Sequence, residues 1–213
     1  MSAQQPLYSL HERIWHWLQS VAIILLIFSG LAIHYSGRLG RSLSLATAVD
    51  WHIWIGFALL VNGFLGIFYH ITAEKYHHFL PHVEDFTGAA VRQARFYLYG
   101  IFKGEKHPMD TDSRRKLNSL QKLTYLALLN VLLPFQIATG VLLWGADRWP
   151  NLFSKLGGFW VIAPAHTLAA FALLAFLFGH LYLATTGETP VSLVRSMITG
   201  YHGQPEASAS NAD

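Results

Sequence analysis

The sequence contains no cysteine. That excludes a disulfide framework, an iron–sulfur cluster ligated by this chain, a thiolate nucleophile and haem attached covalently through C-x-x-C-H. Any metal chemistry must use histidine, carboxylate or backbone oxygen. Charge is also scarce. Asp, Glu, Lys and Arg make up 13% of the 213 residues, about half the roughly 25% of an ordinary soluble domain. The 15 Lys and Arg against 12 Asp and Glu leave a formal net charge of +3, too small an excess to point to nucleic acid. What the chain holds instead is apolar residues, at 53%, and histidine, at 12.

Four long runs lack Asp, Glu, Lys and Arg altogether: Ile14–Gly37, Trp51–Ala73, Leu123–Ala146 and Leu156–Gly187. Each exceeds the roughly 20 residues that carry a helix across a bilayer core. The expected fold class is therefore all-α: an integral membrane four-helix bundle in contact with lipid, with spans at about 14–36, 51–73, 123–146 and 160–186. A single domain over residues 1–203 is expected, followed by a disordered tail at 204–213, which is short, polar and rich in Ser, Ala and Asn. The first run is too long for a signal-peptide core and lacks a small-residue cleavage site, so it is expected to be retained.

Basic residues flanking the spans orient them. The second loop carries Lys75, Arg92, Arg95, Lys103, Lys106, Arg114, Arg115, Lys116 and Lys122. The first has Arg38 and Arg41, and the third Arg148 and Lys155. The second loop and both termini should then be cytoplasmic, with the first and third loops on the opposite side. At about 49 residues, the second loop is too long to be bare coil. Within it, Val83–Phe102 places Val83, Phe86, Ala90, Val91, Ala94, Leu98 and Ile101 close to helical spacing, with Arg92 and Arg95 interleaved. This suits a helix lying at the membrane interface or packed on a partner subunit.

Histidine inside a span is costly and marks function. His16, His34, His52, His70, His166 and His180 lie in the charge-free runs, with His11 just upstream; the third run has none. His166 and His180 are fourteen residues apart. That is about 1400° of helical rotation and about 21 Å of rise, so the two share a face near opposite ends of the span. Two imidazoles stacked in this way suit two ligand sites across the membrane, with hydrogen-bonded packing histidines as the plainer alternative. Sorted by depth, His16, His70 and His180 lie toward the cytoplasm, and His34, His52 and His166 toward the other side. Imidazole suits iron, and two axial ligands complete a six-coordinate haem. Two bis-histidine haems b, held between helices, account for four of the six.

His16 and His34 are eighteen residues apart, as are His52 and His70. The rise of about 27 Å puts one member of each pair at the interface. His34 is followed by Tyr35-Ser36-Gly37-Arg38, and His70 by Ile71-Thr72-Ala73-Glu74-Lys75. These polar surroundings favour His16 and His52 as ligands, without excluding His34 or His70. Gly30, Gly56, Gly63, Gly66, Gly140 and Gly179 would let a flat macrocycle approach the backbone, but glycine serves ordinary membrane-helix contacts equally well.

Several of these segments, in order, resemble the cytochrome b subunits of membrane-bound respiratory oxidoreductases. They are Arg13-Ile14-Trp15-His16-Trp17 and Ser29-Gly30-Leu31 in the first span, and His52-Ile53-Trp54-Ile55-Gly56 in the second. Thr139-Gly140-Val141-Leu142-Leu143-Trp144 follows in the third, then His166 and His180-Leu181-Tyr182 in the fourth. The nearest pattern is the γ subunit of the nitrate-inducible formate dehydrogenase; the Ni–Fe hydrogenase and thiosulfate reductase cytochromes b are similar. The resemblance covers roughly residues 10–200. It implies a bacterial inner-membrane protein with two haems b, one ligated by His52 and His166 on the periplasmic side and one by His16 and His180 near the cytoplasm. His34 and His70 are then left over. It implies a periplasmic iron–sulfur subunit and a catalytic subunit as partners. Electrons would run from them to quinone, or in reverse in a reductase. It also implies a quinone site that uses an asparagine just before the third span. Asn118 aligns with that asparagine, while the family's nearby glycine is replaced here by Leu120. As a cap of the third span, Asn118 would have a purely structural role. His77, His78 and His82 form a loop cluster that suits solvated histidines or proton donors near a quinone, with zinc as the other reading.

Two rival functions use the same residues. One is a stand-alone dihaem cytochrome b that oxidises quinol; the resemblance gives such proteins shorter loops. The other is a haem-free membrane anchor or transporter, its histidines lining a proton path. No catalytic residue is assigned to this chain, because donor or acceptor chemistry would belong to partner chains.

Overall fold

The computed structural model describes residues 6–36, 44–72, 88–105, 119–187 and 189–201. Among them there is no strand. The helices in order are α1 (Leu10–His34), α2 (Leu45–Thr72), α3 (Ala90–Leu98), α4 (Ser119–Ala127), α5 (Leu133–Trp144), α6 (Pro150–Lys155), α7 (Gly158–Ala184) and α8 (Ser192–Thr199). Four stretches are long and apolar enough to cross a membrane: α1, α2, the continuous Ser119–Trp144 and α7. The expected all-α membrane architecture is what the chain adopts. Expectations for Asn118, His77, His78, His82 and residues 204–213 fall outside the described residues.

Helix limits do not follow the limits of the charge-free runs. Helix α1 starts before Ile14 because Ser9 and Glu12 form a capping box. The Glu12 N–H donates to Ser9 Oγ at 3.3 Å, and the Ser9 N–H donates to the Glu12 carboxylate at 2.8 Å. Helix α2 starts at Leu45 and takes in Asp50. The third span is irregular in the middle. Pro134, at the start of α5, has no N–H to offer the carbonyl four residues back, and a π-helical turn over Leu128–Leu132 joins α4 to α5 there.

The surface of the spans is apolar and open. Phe28, Phe64, Phe68, Leu168 and Phe178 are each more than half exposed, an arrangement suited to lipid, which is as apolar as they are. All seven tryptophans sit near span ends: Trp15 and Trp17 early in α1, Trp51 and Trp54 early in α2, Trp144 and Trp149 around the end of α5, and Trp160 early in α7. This is the distribution of an aromatic belt at headgroup level. Arg148 extends it, stacking its guanidinium 4.1 Å from the Trp144 ring centre.

The chain forms two compact units, Met1–Phe64 with Leu174–Asp213, and Leu65–Leu173. In the first, the segment before α1 is tied to the end of α8. The Leu7 and Tyr8 N–H groups both donate to the Gly200 carbonyl, at 2.8 and 3.2 Å. Gly200 caps α8 with a φ of +92°, and a β-carbon there would stand 3.0 Å from the Tyr8 carbonyl oxygen. Burial pushes the Tyr8 hydroxyl pKa above its usual range, and the nearby Glu12 charge adds to the effect. In the second unit, α3 buries Gln93 and Phe96 and leaves Val91 and Leu98 more than 70% exposed, as is Phe102 in the 3₁₀ turn Gly100–Lys103 that follows. Of the helix expected over Val83–Phe102, α3 covers Ala90–Leu98, and beyond Tyr99 the chain tightens into a 3₁₀ turn at Gly100–Lys103; residues 83–87 lie outside the described set.

Candidate functional site

In the first unit, the polar residues around His16 hold it in place. Trp15 Nε1 donates to the Asn62 carbonyl of α2 at 2.9 Å, and Trp17 Nε1 to the Met197 carbonyl of α8 at 3.3 Å. An Arg13 guanidinium N–H donates to the Ile198 carbonyl, next to the α8 C-terminus. With α1 fixed on both sides, His16 meets His180 of α7. Their ring centres are 6.2 Å apart and the planes are tilted by 48°. Trp17 meets His16 edge-on at 5.4 Å, and Phe176 stacks on His180 at 6.1 Å. Metal–imidazole bonds run about 2 Å, which puts two imidazoles gripping one metal from opposite sides about 6 Å apart between ring centres.

The surroundings fit the same group. His16 Nδ1, Gln19 Oε1 one turn further along α1, and Asn62 Nδ2 are buried with no hydrogen-bond partner. Buried polar atoms are rarely left so. Gly63, beside Asn62, and Gly179, beside His180, have open space where a β-carbon would stand. A haem between His16 and His180 would meet two nitrogen donors and backbone without side chains in the way. Among the described residues, no group of three or more His, Cys, Asp or Glu could hold a metal ion.

His52 and His166 are each built into a local arrangement of the same kind. In the first unit, His52 of α2 has Nδ1 2.9 Å from Ser29 Oγ of α1. In the second, His166 of α7 has Nδ1 2.9 Å from Thr139 Oγ1 of α5. Each hydroxyl precedes a glycine, and each glycine lies under an imidazole: a β-carbon at Gly30 would be 3.4 Å from His52 Cε1, and one at Gly140 3.1 Å from His166 Cε1. The Gln136 amide nitrogen stands 3.1 Å from His166 Nε2, and Gln136 Oε1 is buried without a partner. Depth along a span pointed to these histidines, but not to Ser29, Thr139, Gln136, Gln19 or Asn62. The signal available for the first two was a hydroxyl residue directly before a glycine in each of two spans.

The remaining intramembrane histidines are placed differently. His34 is the last residue of α1, its ring edge-on to Tyr35 at 4.7 Å. His70 lies in the last turn of α2.

The family model for prokaryotic cytochrome b561 matches residues 7–200. The chain is 35% identical over 196 residues to a protein of Escherichia coli (strain K12) named "Putative cytochrome YdhU", covering 92% of this chain and 74% of that protein. It is 26% identical over 205 residues to a protein of Azospira oryzae (strain ATCC BAA-33 / DSM 13638 / PS) named "Putative protein-methionine-sulfoxide reductase subunit YedZ1", covering 90% of this chain and 98% of that protein. No solved structure matches the chain significantly. With four membrane-crossing helices, paired imidazoles and a family match that runs from before α1 through α8, the chain belongs to the prokaryotic cytochrome b561 family of b-type, membrane-embedded electron-transfer proteins.

Proposed function

We propose that this chain is the dihaem cytochrome b subunit of a bacterial inner-membrane oxidoreductase, exchanging electrons between a periplasmic iron–sulfur partner with its catalytic subunit and the quinone pool. The observation that carries the reading is the His16–His180 pair, 6.2 Å apart between ring centres, with unsatisfied polar atoms and open glycine backbone beside it. His16 and His180 are its ligands for one haem b. His52 and His166 are its ligands for a second, an assignment that rests on their depth in the spans and on the resemblance.

Haem b supplies one-electron oxidation and reduction when bound. The residues of this chain do the rest. Trp15, Trp17 and Arg13 hold His16 at a fixed depth. Ligation through His166 Nε2 requires the Gln136 amide to move aside. Asn118, on the basic side of the third span, is the proposed quinone contact. The relative from Azospira oryzae is named as a reductase subunit, which supports a catalytic partner for this chain too and admits either direction of electron flow.

The experiment is a set of dithionite-reduced spectra of the purified His16→Ala, His52→Ala, His166→Ala and His180→Ala proteins. Each is expected to lose haem relative to the unaltered chain. Undiminished haem in all four overturns the ligand assignment. Purification also addresses the partner: isolation in an active complex with an iron–sulfur protein is expected, whereas an intact quinol-oxidising activity of the chain alone favours the stand-alone cytochrome.

A further inference from the structure

The Ser29–His52 and Thr139–His166 contacts decide a chemical question that the sequence leaves open: which ring nitrogen carries the proton. Ser29 Oγ lies 2.8 Å from the Leu25 carbonyl and 3.2 Å from the Leu26 carbonyl. Thr139 Oγ1 lies 2.8 Å from the Phe135 carbonyl and 3.1 Å from the Gln136 carbonyl. A hydroxyl has one proton and two lone pairs. Carbonyl oxygens only accept, so each hydroxyl spends its proton on its own helix. The oxygen that remains can only accept from the imidazole. His52 and His166 therefore carry their protons on Nδ1, and Nε2 presents a lone pair. The Gln136 amide fits the same assignment from the other side, because its N–H donates to His166 Nε2 at 3.1 Å. Ser29 and Thr139 are 5% and 7% exposed, so water does not compete for these bonds.

We infer that Ser29 and Thr139 are positioning residues that hold His52 and His166 in the Nδ1–H tautomer, each with Nε2 directed to iron, and that they tune the haem potential through that bond. The inference rests on the proposed role of His52 and His166 as haem ligands. An Nδ1–H donated to a hydroxyl raises the electron density on Nε2, which favours ferric iron. The adjacent glycines belong to the same device, since the ring lies over the backbone at the residue after the hydroxyl in both places. Each histidine is thus set by one helix neighbour that supplies both an acceptor and a missing side chain.

The test compares Ser29→Ala and Thr139→Ala with the hydroxyl-retaining Ser29→Thr and Thr139→Ser, alongside His52→Ala and His166→Ala. Haem affinity is measured by extraction against apomyoglobin, potentials by anaerobic spectral titration, and ligand geometry by low-temperature EPR. Ser29→Ala should raise the midpoint potential of the haem that is lost in His52→Ala, and Thr139→Ala that of the haem lost in His166→Ala. Haem affinity should fall about 10- to 100-fold in both, with altered ferric g values, and the hydroxyl-retaining variants should restore the original potential. Unchanged potential, affinity and g values in both alanine variants overturn the inference, as does an equal shift in the alanine and hydroxyl-retaining variants. Retention of haem in His52→Ala and His166→Ala is a separate outcome, and it overturns the ligand reading on which the inference depends.

Discussion

A single absent β-carbon sets how closely each imidazole can approach the neighbouring helix. At Gly140 the added atom would meet His166 Cε1 at 3.1 Å, closer than ordinary van der Waals contact; at Gly30 the distance to His52 Cε1 is 3.4 Å, which ordinary packing tolerates. Gly140→Ala is therefore expected to reduce haem content clearly and Gly30→Ala only slightly, as read by haem-to-protein ratio after purification. The same scale separates the proposed ligands from bystanders. His34 ends α1 beside Tyr35, and His34→Ala is expected to keep the haem content of the unaltered chain. The depths of the six intramembrane histidines were legible in the sequence, because depth along a helix follows from residue count; the choice of His16, His52, His166 and His180 among them came from the resemblance. Ser29, Thr139 and Gln136 were not. Their role depends on the rotational phase of one helix against another, which spacing within a single run does not contain.

Among the elements, the apolar runs reported that four spans exist but not where their helices end. A charge closes a run, yet Glu12 and Asp50 sit inside helices. Glu12 does so because its carboxylate serves the Ser9 N–H. Ser9→Ala removes one half of that box and should cost about 1 kcal/mol, seen as a lower Tm in detergent with the absorption spectrum unchanged. At the end of α8, Gly200 combines a φ of +92° with a carbonyl 3.0 Å from any added β-carbon. Gly200→Ala should cost roughly 1–2 kcal/mol and loosen the Leu7, Tyr8 and Arg13 attachments to α8. Faster proteolysis of the N-terminal segment would report that loosening. The π turn at Leu128–Leu132 was hidden from pattern reading, since Pro134 announces a missing bond but not how the helix absorbs it.

For the whole molecule, scarce charge and absent cysteine define a division of labour. Under the proposed function, the chain carries imidazole ligands in a lipid-facing frame, and iron–sulfur and substrate chemistry belong to other chains. If electrons move inward, from the periplasmic partner to quinone near the basic loop, each full crossing works against an inside-negative potential by about 2.3 kcal/mol per 100 mV. In proteoliposomes oriented with the basic loop inside, imposing that potential should slow quinone reduction by an external donor, and an uncoupler should restore the rate. A rate indifferent to the potential would place donor and quinone on the same side. The central claim is that one chain holds two haems b, and the haem-to-chain ratio of the purified protein, combined with its redox titration, tests it most directly. The account predicts a ratio of two, titrating as two components; a ratio of one or of zero would contradict it.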